Sequence, residues 1–313
     1  VLVHVTKGLE GKKFEPPKEP VVLDQVGCVY TPHVTALMVG QTRRIWDFED
    51  RDDWYTRVNV AGMAPCVAVP TTSGTGSEVG RVSVVTDEST HVKKLIFHPK
   101  MQPAIVIDDP ELTLGLPPGL TAATGMDALS HNLEAYCAPG FHPMADGIAL
   151  EGMRLIKEWL PAAVKDGTNL AARAYMMVAS TMGATAFQKG LGAMHALSHP
   201  IGANFDTHHG RTNAVVMPYV LLFNRGAIED KLVRLARYIG LAPTSSAVVD
   251  WVLELRRTIG IEHTLKDLGV GAEHAGRIAV EAAKDPSAPT NPVPLDAPKL
   301  ERLFRDAAEG VLA

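Results

Sequence analysis

The sequence predicts an α/β part followed by an all-α part, and three observations lead to this prediction. Short apolar runs of the kind that forms β-strands occur only before Pro117 and Pro118. A stretch of threonine, serine and glycine, residues 71–78, directly follows one of these runs. Beyond the proline pair, long segments rich in Ala, Leu and Met recur with the helical period. We therefore place a domain boundary near residues 109–118.

Length and composition limit the class of protein. The 313 residues are enough for one large or two ordinary domains. A charged fraction of 21%, an apolar fraction of 46% and a net charge of −5 are ordinary for a soluble globular protein and predict no nucleic-acid or membrane partner. The three cysteines are widely spaced, which argues against a disulfide framework and predicts a reducing, cytoplasmic location.

The strand candidates are apolar or β-branched runs in the first third of the chain. Residues 65–70 read as a buried strand. The other candidates are Val21–Leu23, Cys28–Tyr30, Arg81–Thr86, Lys94–Phe97 and Ala104–Asp108.

The second part should be entirely helical, because apolar residues recur there every three to four positions. Residues 285–294 are the exception, since four prolines rule out a helix. The predicted helices are Leu120–Tyr136, Pro143–Leu160, Leu170–Gln188, Ala193–Gly202, Arg211–Phe223, Ile228–Ile239, Ala247–Ile259, Ala275–Ala283 and Ala297–Ala308.

Two pairs of polar residues have metal-ligand character and helical spacing. Asp127 and His131 are four residues apart on a predicted helix, so both side chains project from one face. His195 and His199 repeat this spacing in an apolar stretch, where buried imidazoles need partners. Taken singly, each pair is equally compatible with an ordinary helix contact.

A third group is the histidine pair His208 and His209, followed by Gly210, which leaves backbone room at a helix start. Together the groups supply more ligands than one ion requires. A mixed imidazole and carboxylate set suits Fe²⁺, Zn²⁺, Mn²⁺, Co²⁺ or Ni²⁺ better than Ca²⁺ or Mg²⁺, which prefer oxygen ligands. The sequence does not choose among these transition metals.

Three motifs resemble the iron-containing (group III) alcohol dehydrogenases. They are residues 70–78 (PTTSGTGSE), 122–128 (AATGMDA) and 192–210, and they occur in the family's order. The resemblance runs from about Ala36 to the C-terminus. It implies a dehydroquinate synthase-like fold, with an atypical segment at 1–35, a partial Rossmann-like nucleotide-binding domain at 36–110 and an all-α metal-binding catalytic domain at 111–313.

The resemblance also implies roles for individual residues. It makes His199 a catalytic residue beside the reacting carbon. The implied metal ligands are Asp127, His131, His195 and His209. The residues implied in dinucleotide binding are Thr71, Thr72, Gly74, Thr75, Lys93 and Leu112. The implied chemistry is hydride transfer between an alcohol carbon and NAD or NADP, with Fe²⁺, Zn²⁺ or another divalent metal polarising the alcohol oxygen.

The sequence departs from the family pattern before Ala36. Family members carry a Gly-Gly-Gly-Ser loop whose backbone amides hold the pyrophosphate at a helix N-terminus, and no such run occurs here. Residues 21–34 weakly resemble part of a cupredoxin-like domain, but Cys28 and His33 cannot complete a copper site, so we expect no copper. We expect the metal site to survive and cofactor binding to be affected.

The sequence therefore predicts a metal-dependent alcohol dehydrogenase, or a reductase of aldehydes or ketones. The alternatives are a maleylacetate or hydroxybutyrate type reductase, with Phe141 and Phe205 deciding the substrate, and a metal-binding but catalytically impaired chain. Exposed apolar edges would favour a homodimer or a larger homo-oligomer. The substrate, the metal, the choice between NAD and NADP and the role of residues 1–35 stay open.

Overall fold

The computed structural model describes residues 24–26, 29–31, 48–50, 53, 56, 58, 60–63, 65–87 and 92–312. In this part of the chain the strands precede residue 107 and the α-helices follow residue 117. The strands are β1 (Asp24–Val26), β2 (Val29–Thr31), β3 (Val67–Ala68), β4 (Val82–Asp87), β5 (Val92–Phe97) and β6 (Ile105–Val106). β1 pairs with β2 and β4 with β5, both antiparallel, whereas β3 and β6 pair in parallel.

The strand predictions agree in position but not everywhere in burial. β4, β5 and β6 lie at the predicted runs, while Val21–Leu23 and Cys28 lie outside the described residues. The prediction of a buried strand at 65–70 is wrong. Only two residues of this run form β3, and Val67 is 53% exposed. Within the described residues β3 pairs with β6 alone.

The helices are α1 (Pro118–Cys137), α2 (Pro143–Lys165), α3 (Leu170–Ala186), α4 (Ala193–Phe205), α5 (His209–Tyr238), α6 (Ser245–Ile259), α7 (Ala275–Ala282) and α8 (Ala297–Glu309). Each predicted helix has a counterpart, and no strand lies among the described residues after 117. The proline-rich stretch 285–294 contains only the short 3-10 helix Ala288–Thr290. The predicted domain boundaries stay a prediction.

Helix α1 is the centre of the helical part and packs against α2, α3 and α5. Its residues from Thr121 to Cys137 are buried with the exception of Thr124. Small residues permit the close approach of its neighbours. A Cβ at Gly210, in the first turn of α5, would lie 2.2 Å from the Ala123 carbonyl oxygen, so only glycine fits there. This contact places the start of α5 directly beside the residues that follow Ala123.

Helix α5 is continuous, so the prediction of two helices separated at residues 224–227 is wrong. The amide of Asn224 is buried and exchanges hydrogen bonds of 2.9 and 2.8 Å with the amide of Asn291. Because Asn291 satisfies this side chain, Asn224 does not compete for the helix backbone as asparagine otherwise does. The helix therefore continues through a stretch whose local sequence favours a turn.

Pro218 lies inside α5 and has no N–H to offer the carbonyl of Ala214. The buried guanidinium of Arg256, on α6, replaces this donor. Its Nη1 donates to the carbonyl oxygens of Ala214 and Val215 at 3.2 and 3.0 Å. Arg256 thus supports the N-terminal half of α5, which carries His209.

No helix in the described part of the chain combines the length and apolar character that crossing a membrane requires.

Candidate metal centre

Four side chains meet where α1, α4 and the start of α5 converge. Asp127 and His131 come from α1, His195 from the first turn of α4, and His209 is the first residue of α5. The ligand atoms of Asp127, His131 and His195 all lie within 4.8 Å of one another. The His209 Nε2 atom lies 3.6 Å from the Asp127 Oδ1 atom. The structure thus brings together the four residues that were selected from the sequence, while their role as ligands stays a prediction.

The two histidines nearest the centre are held in defined tautomers. The Nδ1 of His131 lies 3.2 Å from the Gly74 carbonyl oxygen, and the Nδ1 of His195 lies 2.6 Å from Oε2 of Glu134. Carbonyl and carboxylate oxygens only accept hydrogen bonds, so both Nδ1 atoms must donate. Each Nε2 atom is therefore left with a free lone pair. The two rings stack with their centroids 4.8 Å apart.

His209 and Asp127 are connected through Asn213, one turn further along α5. The Asn213 Nδ2 donates to Oδ1 of Asp127 at 2.9 Å and lies 3.3 and 3.2 Å from the Nε2 atoms of His195 and His209. The Oδ1 of Asn213 is buried without a hydrogen-bond partner. One amide group therefore faces three of the four candidate ligand atoms.

For most of the four candidate ligands, burial and neighbouring charges favour the protonation state that binds a metal. Burial alone would raise the pKa of Asp127, but His131, His209 and His195 lower it below its ordinary range. Burial lowers the pKa of His131 and takes that of His209 well below its usual value, against the attraction of Asp127. For His195, burial opposes protonation, but the bond to Glu134 raises its pKa. An ionised carboxylate and neutral imidazoles are the species that bind a transition metal.

These residues fit a divalent transition metal. Three imidazoles and one carboxylate form the nitrogen and oxygen set that suits iron or zinc. The candidate ligand atoms lie close together, and no lysine or arginine hydrogen-bonds to them in the part of the chain described here. Without an ion, the lone pairs crowded around Asn213 would share the two hydrogens of one amide.

His199 lies beside the cluster rather than in it. Its ring stacks on that of His209 with centroids 5.4 Å apart, and its Nδ1 lies 2.8 Å from Oδ2 of Asp285. Because the carboxylate accepts, the Nε2 of His199 is free to accept a hydrogen bond. Burial lowers the pKa of His199, although Asp285 opposes this effect. His199 thus lies next to the candidate ligands, and its catalytic role stays a prediction.

Lys93, on β5, approaches the same cluster. A Cβ at Gly202 of α4 would lie 3.5 Å from the Lys93 Nζ. Burial lowers the pKa of Lys93, while the charges of Asp127 and Asp285 raise it. The ammonium group therefore lies within the influence of Asp127 and Asp285 and is not the solvated lysine that its sequence position also permitted.

The remaining predicted cofactor residues differ in burial. Thr72 and Thr75 are exposed, Thr71 is half-buried, and Leu112 is exposed at the end of a short 3-10 helix. Gly74 is buried, and a Cβ there would lie 2.8 Å from both Cβ and O of Thr124 on α1. The carbonyl oxygen of Gly74 thus accepts the hydrogen bond from His131, a role that the sequence did not indicate.

Sequence reasoning missed Glu134, Asn213 and Asp285. Glu134 is three residues after His131, and Asn213 is four residues after His209, so the helical spacing used for the ligands would have found both. Asp285 lies in the irregular proline-rich stretch and carried no comparable signal.

Phe141, selected as a substrate-pocket residue, is 96% exposed in the loop between α1 and α2, so that prediction is wrong. Phe205 contacts the ring of His274 with centroids 4.7 Å apart.

Comparison with known proteins identifies the family. The profile described as "Fe-containing alcohol dehydrogenase family, C-terminal" matches residues 121–308, and that described as "Iron-containing alcohol dehydrogenase" matches residues 31–110. The chain belongs to the iron-containing alcohol dehydrogenase family. The resemblance and the fold class predicted from the sequence are therefore confirmed.

Individual relatives carry the names of dehydrogenases and reductases. The chain is 42% identical to 4-hydroxybutyrate dehydrogenase of Cupriavidus necator over 78% of its own length and 66% of that protein. It is 35% identical to alcohol dehydrogenase 4 of Saccharomyces cerevisiae (strain ATCC 204508 / S288c) over 98% of this chain and 80% of the relative. The crystal structure of sulfoacetaldehyde reductase from Bifidobacterium kashiwanohense in complex with NAD⁺ matches with a TM-score of 0.72 and 33% identity, covering 79% of this chain and 65% of that one. The chain thus spans just under two thirds of the first of these relatives.

Proposed function

We propose that this chain is a metal-dependent alcohol dehydrogenase that transfers hydride between an alcohol carbon and NAD(P), or reduces an aldehyde or ketone in the reverse direction. The observation that carries the proposal is the closeness of four candidate ligands: the ligand atoms of Asp127, His131 and His195 lie within 4.8 Å of one another, and His209 Nε2 lies 3.6 Å from Asp127 Oδ1. Membership of the iron-containing family and the names of the relatives support the reaction class.

The four ligands would hold one divalent metal, with Fe²⁺ as the first choice and Zn²⁺ as the second. When bound, the metal supplies a Lewis acid that polarises the oxygen of the alcohol or carbonyl substrate. The protein contributes the orientation of the ligands. Gly74 and Glu134 hold His131 and His195 with Nε2 as the free nitrogen, so both rings are ready to bind before an ion arrives.

His199 would handle the proton. Asp285 accepts the Nδ1 proton of His199, which leaves the Nε2 atom able to accept a hydrogen bond or a proton from the substrate hydroxyl. The lowered pKa of His199 keeps this nitrogen unprotonated at neutral pH. In the reductive direction the same atom would return the proton.

NAD(P) would bind along the loop at residues 71–75, with Lys93 and Leu112 beside it. The exposed hydroxyls of Thr72 and Thr75 suit a polar ligand, and Lys93 brings a positive charge towards the metal cluster. The bound NAD⁺ in the sulfoacetaldehyde reductase structure supports this cofactor for the present chain. The preference between NAD and NADP stays open.

The second candidate is a protein that binds metal but turns over poorly. It is favoured by one observation, namely that the sequence contains no Gly-Gly-Gly-Ser run to grip the pyrophosphate. A hydroxybutyrate type reductase remains the alternative within enzymes, supported by the 42% identity to 4-hydroxybutyrate dehydrogenase. We also propose a cytoplasmic location and a homo-oligomer, based on the spacing of the cysteines and on the exposed apolar residues of β3 and β6.

The experiment that separates these functions is a titration of the Fe²⁺- or Zn²⁺-loaded protein with NADH and NADPH, followed by nicotinamide fluorescence. His195→Ala is the control for the metal site. Saturable micromolar binding, followed by oxidation of a screened alcohol, is the expected result for the dehydrogenase. One equivalent of bound metal without cofactor binding would support the second candidate instead, and no bound metal would contradict both.

A further inference from the structure

Glu134 connects α1 with the first turn of α4 through both of its carboxylate oxygens. Oε2 accepts the Nδ1 proton of His195 at 2.6 Å, and Oε1 accepts the backbone N–H of Met194 at 2.7 Å. The side chain is almost fully buried, with 5% of the residue exposed. Water therefore does not compete for either bond, and both oxygens are committed to α4.

The start of α4 depends on this carboxylate, because it has no cap of its own. Its N-cap residue is Gly192, which has no side chain to accept a backbone N–H. The Oδ1 of Asn291 accepts the N–H of Ala193 at 3.1 Å, and Glu134 accepts the next one. A Cβ at Gly192 would lie 2.7 Å from Oδ1 of Asn291 and 2.9 Å from Oε1 of Glu134. Glycine is therefore required where two remote side chains cap the helix.

We propose that Glu134 is a positioning residue for the metal, one that sets both the place and the tautomer of His195. The inference rests on the proposed metal site. Capping fixes the first turn of α4, in which His195 is the third residue, and the second oxygen holds the imidazole with Nε2 as the free nitrogen. A ligand histidine whose other nitrogen donates to a carboxylate is also more basic, which strengthens its bond to a metal.

Only a carboxylate can fill this position, because both of its neighbours are donors. In Glu134→Gln, an amide oxygen that accepted from Met194 would leave the amide NH₂ facing His195. The histidine would then have to accept at Nδ1 and carry its proton on Nε2, where the ion should bind. In the opposite orientation, the NH₂ would face the N–H of Met194. Either arrangement penalises the metal-binding form, whereas Glu134→Asp keeps two acceptors.

The test is the affinity for Co²⁺ and Zn²⁺ of the full chain, measured by competition with a chromophoric chelator, together with the visible absorption spectrum of bound Co²⁺. The variants are Glu134→Gln and Glu134→Asp, with Glu158→Gln as a control that changes the charge equally on α2, where Glu158 pairs with Arg154. Circular dichroism of the metal-free proteins shows whether each variant is folded.

We expect wild type and Glu158→Gln to bind one equivalent, and Glu134→Gln to bind about 10- to 100-fold more weakly with an altered Co²⁺ spectrum. Glu134→Asp should recover at least part of the affinity and the wild-type spectrum. If the Gln variant is unfolded, a folded Asp variant with the wild-type spectrum supports the inference, and one with a changed spectrum overturns it. Equal affinity and spectra in wild type and Glu134→Gln would overturn the inference and leave the proposed function intact. A wild-type protein without metal binding would instead defeat the proposed function.

Discussion

Replacing Arg256 with methionine should destabilise the protein, because it removes the side-chain donors that replace the N–H missing at Pro218 in α5. Arg256 Nη1 serves the carbonyls of Ala214 and Val215, and Nη2 donates to the carbonyl of His263 at 3.0 Å. Methionine fills much of the same volume but donates no hydrogen bond. The variant therefore tests the polar contribution of Arg256 with little change in packing.

The expected magnitude follows from these contacts. Three carbonyl oxygens lose their Arg256 donor, and each buried carbonyl left without a partner costs about 1–3 kcal/mol. The gross loss is therefore about 3–9 kcal/mol, and relief from burying the guanidinium charge offsets a large part of it. We expect the free energy of unfolding to fall by about 3 kcal/mol. Arg257→Met is the matched control. Its side chain is 76% exposed and pairs with Glu254, so its change should stay within about 0.5 kcal/mol.

A double-mutant cycle in urea, followed by circular dichroism, connects this loss to Pro218. Pro218→Ala restores an N–H that can donate to the Ala214 carbonyl within the helix. Arg256→Met should then be less costly by about 1 kcal/mol in the Pro218→Ala background. Strict additivity of the two substitutions, to within about 0.5 kcal/mol, would refute the reasoning that Arg256 replaces the donor missing at Pro218.

Three further predictions concern the cluster and its surroundings. Asp127→Asn and His131→Ala should each weaken metal binding at least about tenfold, measured as metal retained after gel filtration, and full retention would contradict the ligand assignment. Asn213→Ala removes the donor to Asp127 and should weaken Zn²⁺ binding by about tenfold; an unchanged affinity in chelator competition would show that Asn213 does not orient the carboxylate. Burial raises the pKa of the Cys137 thiol to about 12, so the folded state keeps its proton where the unfolded chain loses it. Stability from this group is therefore present below about pH 8.5, the ordinary pKa of cysteine, and is lost as the pH rises towards the folded value. Cys137→Ala should flatten the fall in unfolding free energy between about pH 8.5 and pH 11, and an identical pH profile would contradict this.

Helical periodicity predicted the helical part well, because α1 and its neighbours bury continuous faces. The same spacing selected Asp127 with His131 on one face. The glycine after His209 was selected only as backbone room at a helix start, and its close contact with α1 is visible only in the structure. Local patterns failed where a distant partner decides the outcome. The stretch around Asn224 continues as helix because Asn291 satisfies its amide, and nothing local signals that pairing.

Burial was the least predictable property of the first part of the chain. An apolar run between prolines predicts a strand, but its burial depends on which other strands and helices cover it. β3 and β6 form a parallel pair in which Val67, Ile105 and Val106 are exposed, whereas parallel strands are normally covered on both faces. Asp285 illustrates the same limit at the site. Its bond to His199 spans 86 residues of sequence, and the packing of α4 against α7 and the following 3-10 helix Ala288–Thr290 brings the two together.

Most of the side chains that build the candidate metal centre lie outside the proposed cofactor loop. Asp127, His131, His195 and His209 stand on helices of the second part, and Glu134, Asn213 and Asp285, which orient them or His199, lie there too. A weakened grip on the pyrophosphate would therefore leave metal affinity unchanged. The exception is Gly74, whose carbonyl fixes the tautomer of His131 from within the proposed cofactor loop. A cofactor that shifts this loop acts directly on one ligand, so NADH should alter the Co²⁺ spectrum if it binds where we propose, even in a protein that turns over no substrate.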